Sequence, residues 1–420
     1  MYTFKASEWD YRFEWREGAR VLVDRIREER GDVICEITIE CSDGGEWTLL
    51  HGPAKLNLVA DRTIGSLAKS LNERMELDWE GALLQVKAKS IQQYRNGSPL
   101  VRLADVVPSV GERYLLAPFI YTTGVSTIVA DGGTGKSLVG LAGAVSVVSG
   151  VNVFGACPSV TGPVVYLDWE ADEETHQERL QAICAGLGIE MPRDLYYQRM
   201  MGSLAETIAS MRRKVLDVGA VLVVSDSTGM ARGDEPNSAD STIKLFSAFR
   251  SFYVPVLAVD HVSKEQKKEG MAGGADPIGS IYTRNASRLV WSAEGSQLEG
   301  SDDKVVIFRN SKANFGRKEP QRSYRFRFLS DASGRLQKVT FTPVDWRDTA
   351  EFADKLSDSD RILKVLNDGK ATVATLAEVL STPTRKVSES VVRTRLSELK
   401  STGKVMKMGD EWGRSYFNYE

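Results

Sequence analysis

The chain is poor in the residues that build disulfide frameworks and zinc sites. Its 420 residues include four cysteines and three histidines. The cysteines form no CxxC pair and show no spacing typical of a metal site: Cys35, Cys41, Cys157 and Cys184. Disulfide-rich secreted domains and zinc modules are recognised by such spacings, so neither class is expected. A reducing, cytoplasmic compartment is the expectation that follows.

Long hydrophobic runs and a large net charge are missing as well. The longest apolar run, residues 138–148, is too short to span a bilayer and carries glycines, which favours a buried core helix. The first residues show no apolar signal-peptide core, and no membrane partner is expected. The formal net charge of −3 gives no global positive field, so any contact with nucleic acid must use local basic patches.

Residues 1–113 favour short strands. The stretch 33–40 alternates with period two and ends in a Ser-Asp-Gly-Gly turn signal. Residues 83–88 and 100–103 indicate further strands joined through a hairpin turn, and a helical stretch lies around 64–74. We therefore expect a small α+β accessory module, in a chain whose length predicts about two or three domains.

The pattern changes to that of an α/β domain over residues 114–347. Runs typical of buried strands alternate there with helical segments, at 127–129, 163–167, 221–224 and 254–259. Such alternation predicts a largely parallel sheet covered by helices on both faces. Two later strands, 305–308 and 324–328, are expected to add an antiparallel edge. The predicted fold class is therefore α/β.

A charged segment, residues 348–359, is typical of a linker, and a third pattern follows it over residues 360–420. Apolar residues at helical spacing predict short helices at 361–366, 373–380 and 388–400. A hairpin is predicted over residues 403–417. Three short helices followed by a hairpin is the order of a winged-helix module, and we expect such a module in this part of the chain.

The clearest chemical signal is the stretch Asp-Gly-Gly-Thr-Gly-Lys-Ser at residues 131–137, between a predicted strand and a predicted helix. Phosphate binding needs glycines that turn backbone N–H groups toward the anion, a helix N-terminus behind them, and a lysine for the terminal phosphates. The stretch supplies all three, so a P-loop that binds and hydrolyses ATP is predicted. The expected nucleotide contacts are Asp131, Gly132, Gly133, Thr134, Gly135, Lys136, Ser137 and Leu138.

A magnesium-phosphate site also needs hard oxygen ligands. The hydroxyl of Ser137, at the end of the loop, is placed to contact Mg²⁺. A carboxylate at the end of a neighbouring strand completes such sites, and Asp226 closely follows the apolar run 221–224. ATP and Mg²⁺ are therefore the expected cofactors, with Ser137 and Asp226 as metal ligands. A capping role at the strand end is the alternative for Asp226.

Hydrolysis needs a group that positions or deprotonates the attacking water. The strand after the P-loop helix is followed by three acids, Asp168, Glu170 and Asp172. Glu170 is the predicted base, with the other two as rivals, and Asp172 is equally suited to capping the next helix. His261 follows the apolar run 254–259 and is predicted to sense the γ-phosphate; a packed edge histidine is the alternative.

Taken in order, these residues resemble the RecA/DnaB-type ATPase superfamily, an AAA-type class with a RecA-like core, and among its members the RepA-type replicative helicases of plasmids and phages. The resemblance rests on residues 132–137, 166–170, 226–227, 233–238 and 260–264. It implies a homo-oligomeric ring, typically a hexamer, with ATP bound between subunits. A neighbour's Arg or Lys completes each site in such rings, which implies Arg309 or Lys312 here, with Arg288 as an alternative.

The same resemblance implies that single-stranded DNA passes through the ring and contacts loops that follow the sheet strands. The candidate contacts are Lys264, Lys267 and Lys268. A solvated flexible loop is the alternative, because glutamates are interleaved with these lysines.

In the C-terminal module, Arg393 and Arg395 lie in a basic stretch of the predicted third helix. Such a helix suits contact with duplex phosphates, and a protein-docking role is the alternative. The expected function is a DNA-directed ATPase motor, a replicative-type helicase of a plasmid, phage or mobile element. The alternatives are a DNA-binding regulator that ATP switches, and a recombinase-like ATPase that forms filaments.

Overall fold

The computed structural model describes residues 1–7, 10–97, 100–107, 111–233, 238–262, 281–297, 300–346, 357–381 and 386–415. The chain divides into two compact units. The first comprises Met1–Glu112, Gly202–Gly219 and Lys244–Tyr253, and the second comprises Arg113–Met201, Ala220–Ile243 and Val254–Glu420. Among the helices in these ranges, none combines the length and the apolar character that a bilayer crossing requires.

The first unit is built on an antiparallel meander, in which each described strand pairs with the next. The strands are β1 (Tyr2–Ala6), β2 (Asp10–Trp15), β3 (Ala19–Glu29), β4 (Asp32–Cys41) and β5 (Thr48–Asn57). Two helices, α1 (Asp61–Asn72) and α2 (Trp79–Asn96), pack against these strands through one apolar core. The alternation predicted at 33–40 is confirmed, because Val33, Cys35, Ile37 and Ile39 all enter that core.

The strands predicted at 83–88 and 100–103 are wrong. Residues 83–88 lie within α2, where Trp79, Leu83 and Val86 are buried at the spacing of one helix face. A short apolar run fits both periods, and packing against the meander decides for the helix. Residues 100–102 form no strand in the described chain, and a 3₁₀ turn follows at Leu103–Asp105.

The second unit begins with a small hairpin of two strands, β6 (Tyr114–Leu116) and β7 (Ile120–Tyr121), and then forms a mixed sheet. The described strands of the sheet are β8 (Val125–Ala130), β9 (Val164–Asp168), β10 (Leu195–Arg199), β11 (Leu222–Asp226), β12 (Val256–His261), β13 (Leu289–Gln297), β14 (Lys304–Ala313), β15 (Arg322–Ser330) and β16 (Leu336–Pro343). Within the sheet they lie in the order β10-β9-β11-β12-β8-β13-β14-β15-β16. The strands from β10 to β13 pair parallel and the last three pair antiparallel. A large, mostly parallel sheet with an antiparallel edge is thus confirmed.

Helices connect these strands along the chain. They are α3 (Lys136–Ser149), α4 (Glu173–Leu187), α5 (Leu204–Asp217), α6 (Thr228–Ala231), α7 (Ala239–Ser251) and α8 (Ile281–Ala286). α3 is buried along nearly its whole length, which its apolar sequence predicts. The parallel register pairs Asp226 with Asp168 and His261 with Ala130, so the carboxyl ends of β9, β11, β12 and β8 meet at one edge of the sheet.

The last described part of the chain forms a small core of its own. Its elements are α9 (Asp358–Asp368), β17 (Ala371–Thr372), α10 (Val373–Leu380), α11 (Glu389–Ser401), β18 (Val405–Met408) and β19 (Glu411–Arg414). The strands pair in the order β17-β19-β18. Ile362, Leu376 and Leu396, one from each helix, are fully buried together. Three short helices and a hairpin are therefore present in the order that the sequence pattern predicts.

Candidate active site at the carboxyl edge of the sheet

The glycine-rich loop joins β8 to α3. Every residue of β8 is buried, so the strand fixes where the loop begins. Gly133 and Gly135 have φ angles of 76° and 95°, in the left-handed region that residues with a side chain avoid. α3 begins at Lys136, whose side chain is largely buried. The loop therefore presents a helix N-terminus and a lysine together, which is the arrangement that binds phosphate.

Three other residues that are predicted to contact the nucleotide, Asp131, Thr134 and Leu138, support the loop and the start of α3. The carboxylate of Asp131 accepts the backbone N–H of Gly132 at 2.6 Å, which stabilises the start of the turn. Thr134 is buried within the loop. Leu138 packs into the apolar core of the sheet, so its side chain anchors α3.

Ser137 and Asp226 lie beside each other, as the sequence predicts for a magnesium site. Asp226 is buried at the end of β11, and its Oδ2 accepts the hydroxyl of Tyr166 at 2.8 Å. Burial raises the pKa of Asp226, while the nearby hydroxyls of Ser137 and Tyr166 act in the opposite direction. Tyr166, in the middle of β9, was not predicted as a site residue. Its place two residues before Asp168 in an otherwise apolar strand was the available signal.

The residues at this point suit a magnesium ion. Asp226 Oδ1 is buried and has no hydrogen-bond partner among the described residues, which is costly unless a ligand or ion satisfies the oxygen. A carboxylate and a hydroxyl are hard oxygen donors of the kind that Mg²⁺ prefers. Ser137 and Asp226 would therefore hold the ion.

Glu170 and His261 come together from different strands. Glu170 follows β9, His261 ends β12, and Nε2 of the histidine lies 2.8 Å from Oε1 of the glutamate. The hydrogen bond from His261, with a further contribution from the charge of Lys136, lowers the pKa of Glu170 to about 2. Both side chains are about one-third exposed, so water reaches them. The structure thus gathers the predicted base, sensor and P-loop lysine at one edge.

Asp168, a rival for the role of base, is occupied by structural contacts. It is fully buried, and it accepts backbone N–H groups from Glu170 at 3.1 Å and Ala171 at 2.9 Å. The hydroxyl of Tyr197 lies 3.0 Å from Oδ2, and Nε2 of His176 lies 3.3 Å from the same oxygen. Despite burial, these donors lower the pKa of Asp168. The carboxylate therefore holds the turn that presents Glu170.

Asp172, the other rival, caps α4. Its carboxylate accepts the backbone N–H of Thr175 at 2.7 Å. This hydrogen bond lowers the pKa of Asp172. An acid at this position satisfies one of the unpaired N–H groups of the first helical turn, and the structure shows Asp172 in that role.

A fully buried ion pair stands next to His261. Arg232, just after α6, donates to Asp260 Oδ2 at 2.7 Å and to the hydroxyl of Thr283 in α8 at 3.0 Å. Asp260 Oδ1 accepts the backbone N–H of His261 at 2.9 Å. Burial raises the pKa of Asp260, and the positive charge of Arg232 opposes that shift. The pair fixes the backbone from which His261 projects.

Two of the candidate trans residues have partners within the subunit. Arg309 pairs with Glu294 of the neighbouring strand at 2.7 Å. Lys312 donates to three backbone carbonyls at the end of α8, at distances of 2.7 to 2.9 Å. Burial lowers the pKa of Lys312. Arg288, the alternative, is exposed and lies immediately before β13.

Of the five candidate DNA contacts, two lie in the described part of the chain and three lie outside it. Lys264, Lys267 and Lys268 lie outside the described part of the chain. Arg393 and Arg395 are exposed on α11, where each pairs at 2.8 Å with a glutamate of the same helix. Such exposed pairs contribute little to stability.

The comparison with known families gives a match over the part of the chain that contains these site residues. A family model described as an AAA domain matches residues 105–267. That range includes the P-loop, Glu170, Asp226 and His261. The match supports a P-loop AAA-type ATPase. An AAA domain implies nucleotide binding and, in general, ATPase activity. The strands β13 to β16 and the C-terminal elements lie beyond the matched residues.

Proposed function

We propose that the protein is an oligomeric, DNA-directed ATPase of the RecA-like class, a replicative-type helicase of a plasmid, phage or mobile element. The observation that carries the proposal is the meeting of Lys136, Ser137, Asp226, Glu170 and His261 at the carboxyl ends of adjacent strands. A parallel sheet binds its ligand at that edge. Each of these groups suits one step of phosphoanhydride hydrolysis.

The glycine-rich loop and the two metal ligands bind the nucleotide and its magnesium ion. The backbone N–H groups of the glycine-rich loop cradle the phosphates, and Lys136 faces the β- and γ-phosphates. Ser137 and Asp226 would hold Mg²⁺, and the bound ion would neutralise charge on the phosphate oxygens. Asp131, Thr134 and Leu138 hold the loop and the start of α3 in place.

Glu170 positions the attacking water and accepts its proton. The water oxygen bonds to the γ-phosphorus while the bond from phosphorus to the ADP oxygen breaks, which releases ADP and phosphate. A carboxylate with a pKa of about 2 is ionised at neutral pH and is a weak base. The hydrogen bond from His261 is the main cause of this low value. We propose that His261 leaves Glu170 for the γ-phosphate when a nucleotide binds, which would raise the pKa of Glu170 and make it a stronger base.

DNA contact is proposed at two places. Lys264, Lys267 and Lys268, which come three to seven residues after His261 in the sequence, are proposed to contact single-stranded DNA. The C-terminal elements from α9 to β19 are proposed as a winged-helix module, with α11 as the helix that contacts duplex phosphates through Arg393 and Arg395. Arg309, Lys312 or Arg288 of a neighbouring subunit completes each ATP site of the oligomer.

ATPase assays with and without poly-dT test the proposal. The wild type should hydrolyse ATP, and poly-dT should stimulate it. Lys136→Ala should lose hydrolysis and bind ATP weakly, because it removes the charge that faces the terminal phosphates. Lys338→Ala, an exposed lysine on β16, is the matched control and should behave as the wild type. If no DNA increased the ATPase activity of the wild type, the helicase assignment would be wrong. If Lys136→Ala hydrolysed ATP at the normal rate, the assignment of the ATP site would be wrong.

A further inference from the structure

The P-loop is contacted by a part of the chain outside the residues that match the AAA family model. Lys304, the first residue of β14, donates from Nζ to the backbone carbonyl of Gly133 at 2.8 Å. Gly133 is exposed and has a positive φ. Its carbonyl belongs to the glycine-rich half of the loop, so a hydrogen bond there restrains the turn that is proposed to hold the phosphates.

Two residues of the strands beside β14, Gly295 and Phe326, lie close to the next two residues of the loop, Thr134 and Gly135. A Cβ added to Gly295 of β13 would lie 3.2 Å from Thr134 Cγ2. The backbone of β13 at Gly295 therefore lies close against the loop. A Cβ added to Gly135 would come within 3.3 Å of the ring of Phe326 in β15. Three consecutive residues of the P-loop, Gly133, Thr134 and Gly135, therefore lie close to three different strands, β14, β13 and β15.

The register of the sheet explains why these contacts converge. Lys304 pairs with Phe326 on β15 and with Gln297 on β13. Residues that lie opposite each other on paired strands point to the same face of a sheet, as do residues two apart on one strand. Gly295 is two residues from Gln297, so it shares the face of Lys304 and Phe326. That face also carries the core against which α3 packs.

We propose that Lys304 is a positioning residue for nucleotide binding, which holds the Gly132–Gly133 turn in the conformation that accepts phosphate. This inference rests on the proposed ATPase function. Without the lysine, the two glycines are free to reach more conformations, and the loop must be ordered again each time a nucleotide binds. Affinity for nucleotide should therefore depend on Lys304, whereas turnover of bound ATP should not, because the groups that act on the attacking water are elsewhere.

Binding of a fluorescent ADP analogue and steady-state ATPase kinetics test this assignment. Lys304→Met keeps the apolar stem and removes the donor. Its dissociation constant for the analogue and its KM for ATP should each rise about tenfold, the scale of one hydrogen bond from a charged group in partly exposed surroundings. Its kcat at saturating ATP should stay within about twofold of the wild type. Lys304→Arg should restore much of the affinity, and the exposed-lysine control Lys338→Met should match the wild type.

A second variant perturbs the same loop from a different strand, so the inference can still be tested if Lys304→Met misfolds. Gly295→Val adds a side chain whose Cβ would lie 3.2 to 3.5 Å from atoms of Thr134, so it should displace the loop and also weaken binding of the analogue. Wild-type affinity in Lys304→Met would overturn the inference while leaving the proposed function standing. A large fall in kcat with unchanged affinity would also overturn it. A wild type that binds no nucleotide would overturn the proposed function and this inference with it.

Discussion

His261 and Glu170, separated by 91 residues in the sequence, share a hydrogen bond of 2.8 Å between Nε2 and Oε1. An ionised carboxylate only accepts hydrogen bonds, so the imidazole donates. The contact joins the end of β12 to the turn after β9. It lowers the pKa of Glu170 more than any other interaction does, and the chemical state of one residue therefore depends on the position of the other.

The first prediction separates Glu170 from Asp168. Glu170→Gln keeps the shape of the side chain but removes the proton acceptor, so turnover should fall by about a hundredfold or more while nucleotide binding and thermal stability persist. Asp168→Asn should instead lower stability by about 1–3 kcal/mol, because a buried acceptor with several donors is disrupted. ATPase assays and chemical denaturation on both variants measure the difference. If Asp168→Asn alone lost turnover and kept its stability, the base would be Asp168.

The second prediction concerns pH. The folded pKa of Glu170 is about 2, below its ordinary value. The contact with His261 therefore stabilises the fold above that ordinary value and loses its effect as the pH falls toward 2. His261→Ala should cost below about 1 kcal/mol near pH 6, because solvent screens a pair that is one-third exposed, and should cost less near pH 3. Urea unfolding at both pH values measures this. An equal cost at both would contradict the pairing.

The third prediction concerns the buried ion pair. Asp260→Ala removes the carboxylate that pairs with the buried Arg232 guanidinium, so the free energy of unfolding should fall by about 3–5 kcal/mol. The matched control is Glu36→Ala, which breaks the exposed pair with Arg25 and should cost below about 1 kcal/mol. Denaturant titrations compare the two. Similar losses would show that the Arg232 pair adds nothing beyond a surface contact.

The fourth prediction tests for an oligomeric site. If Arg309 acts on the neighbouring subunit, Arg309→Ala should spare nucleotide binding and lower hydrolysis by about a thousandfold, the usual scale of an arginine finger. Mixing it with Lys136→Ala subunits should restore part of the activity, since mixed interfaces contain one intact site. Lys312→Ala and Arg288→Ala are tested in the same way. Lys312→Ala should also lose stability, because three carbonyls at the C-terminal end of α8 lose their donor. Failure of every mixture to recover would argue for a site within one subunit.

The fifth prediction separates a motor from a regulator. Lys267→Ala with Lys268→Ala should remove stimulation by poly-dT and keep basal hydrolysis. Arg393→Ala with Arg395→Ala should weaken duplex binding and keep single-strand stimulation. Binding of single strands should weaken with salt for any sequence, since phosphate contacts carry no base information. The reverse result, in which only the α11 variant loses its DNA effects, would favour the ATP-switched regulator.

The sequence predicts the parts of the site that are local in the chain. Ser137 follows Lys136 within the glycine-rich loop, and Asp226 ends an apolar strand, so their meeting follows from the rule that parallel strands end at one edge. The roles of Asp168 and Glu170 were not separable in this way. Burial of Asp168 depends on Tyr197 and His176, which arrive from β10 and α4, and no pattern around Asp168 indicates these partners.

Packing between distant segments also explains what was missed in the fold. The pattern at 83–88 fits a strand or a helix, and the choice is made by residues of the meander that bury Leu83 and Val86. Lys312 looks like part of a basic tail in sequence, yet its ammonium caps α8, which ends more than 20 residues earlier. The strands 163–167 and 221–224 were predicted closely, because a continuous apolar run needs no distant partner to be recognised.

The Arg232 guanidinium spans the two ends of one segment of the chain. It binds Asp260 on one side of residues 263–280 and Thr283 on the other, and Lys312 secures the helix that carries Thr283. The position of α8 relative to the end of β12 is therefore set by buried hydrogen bonds and an ion pair among the described residues.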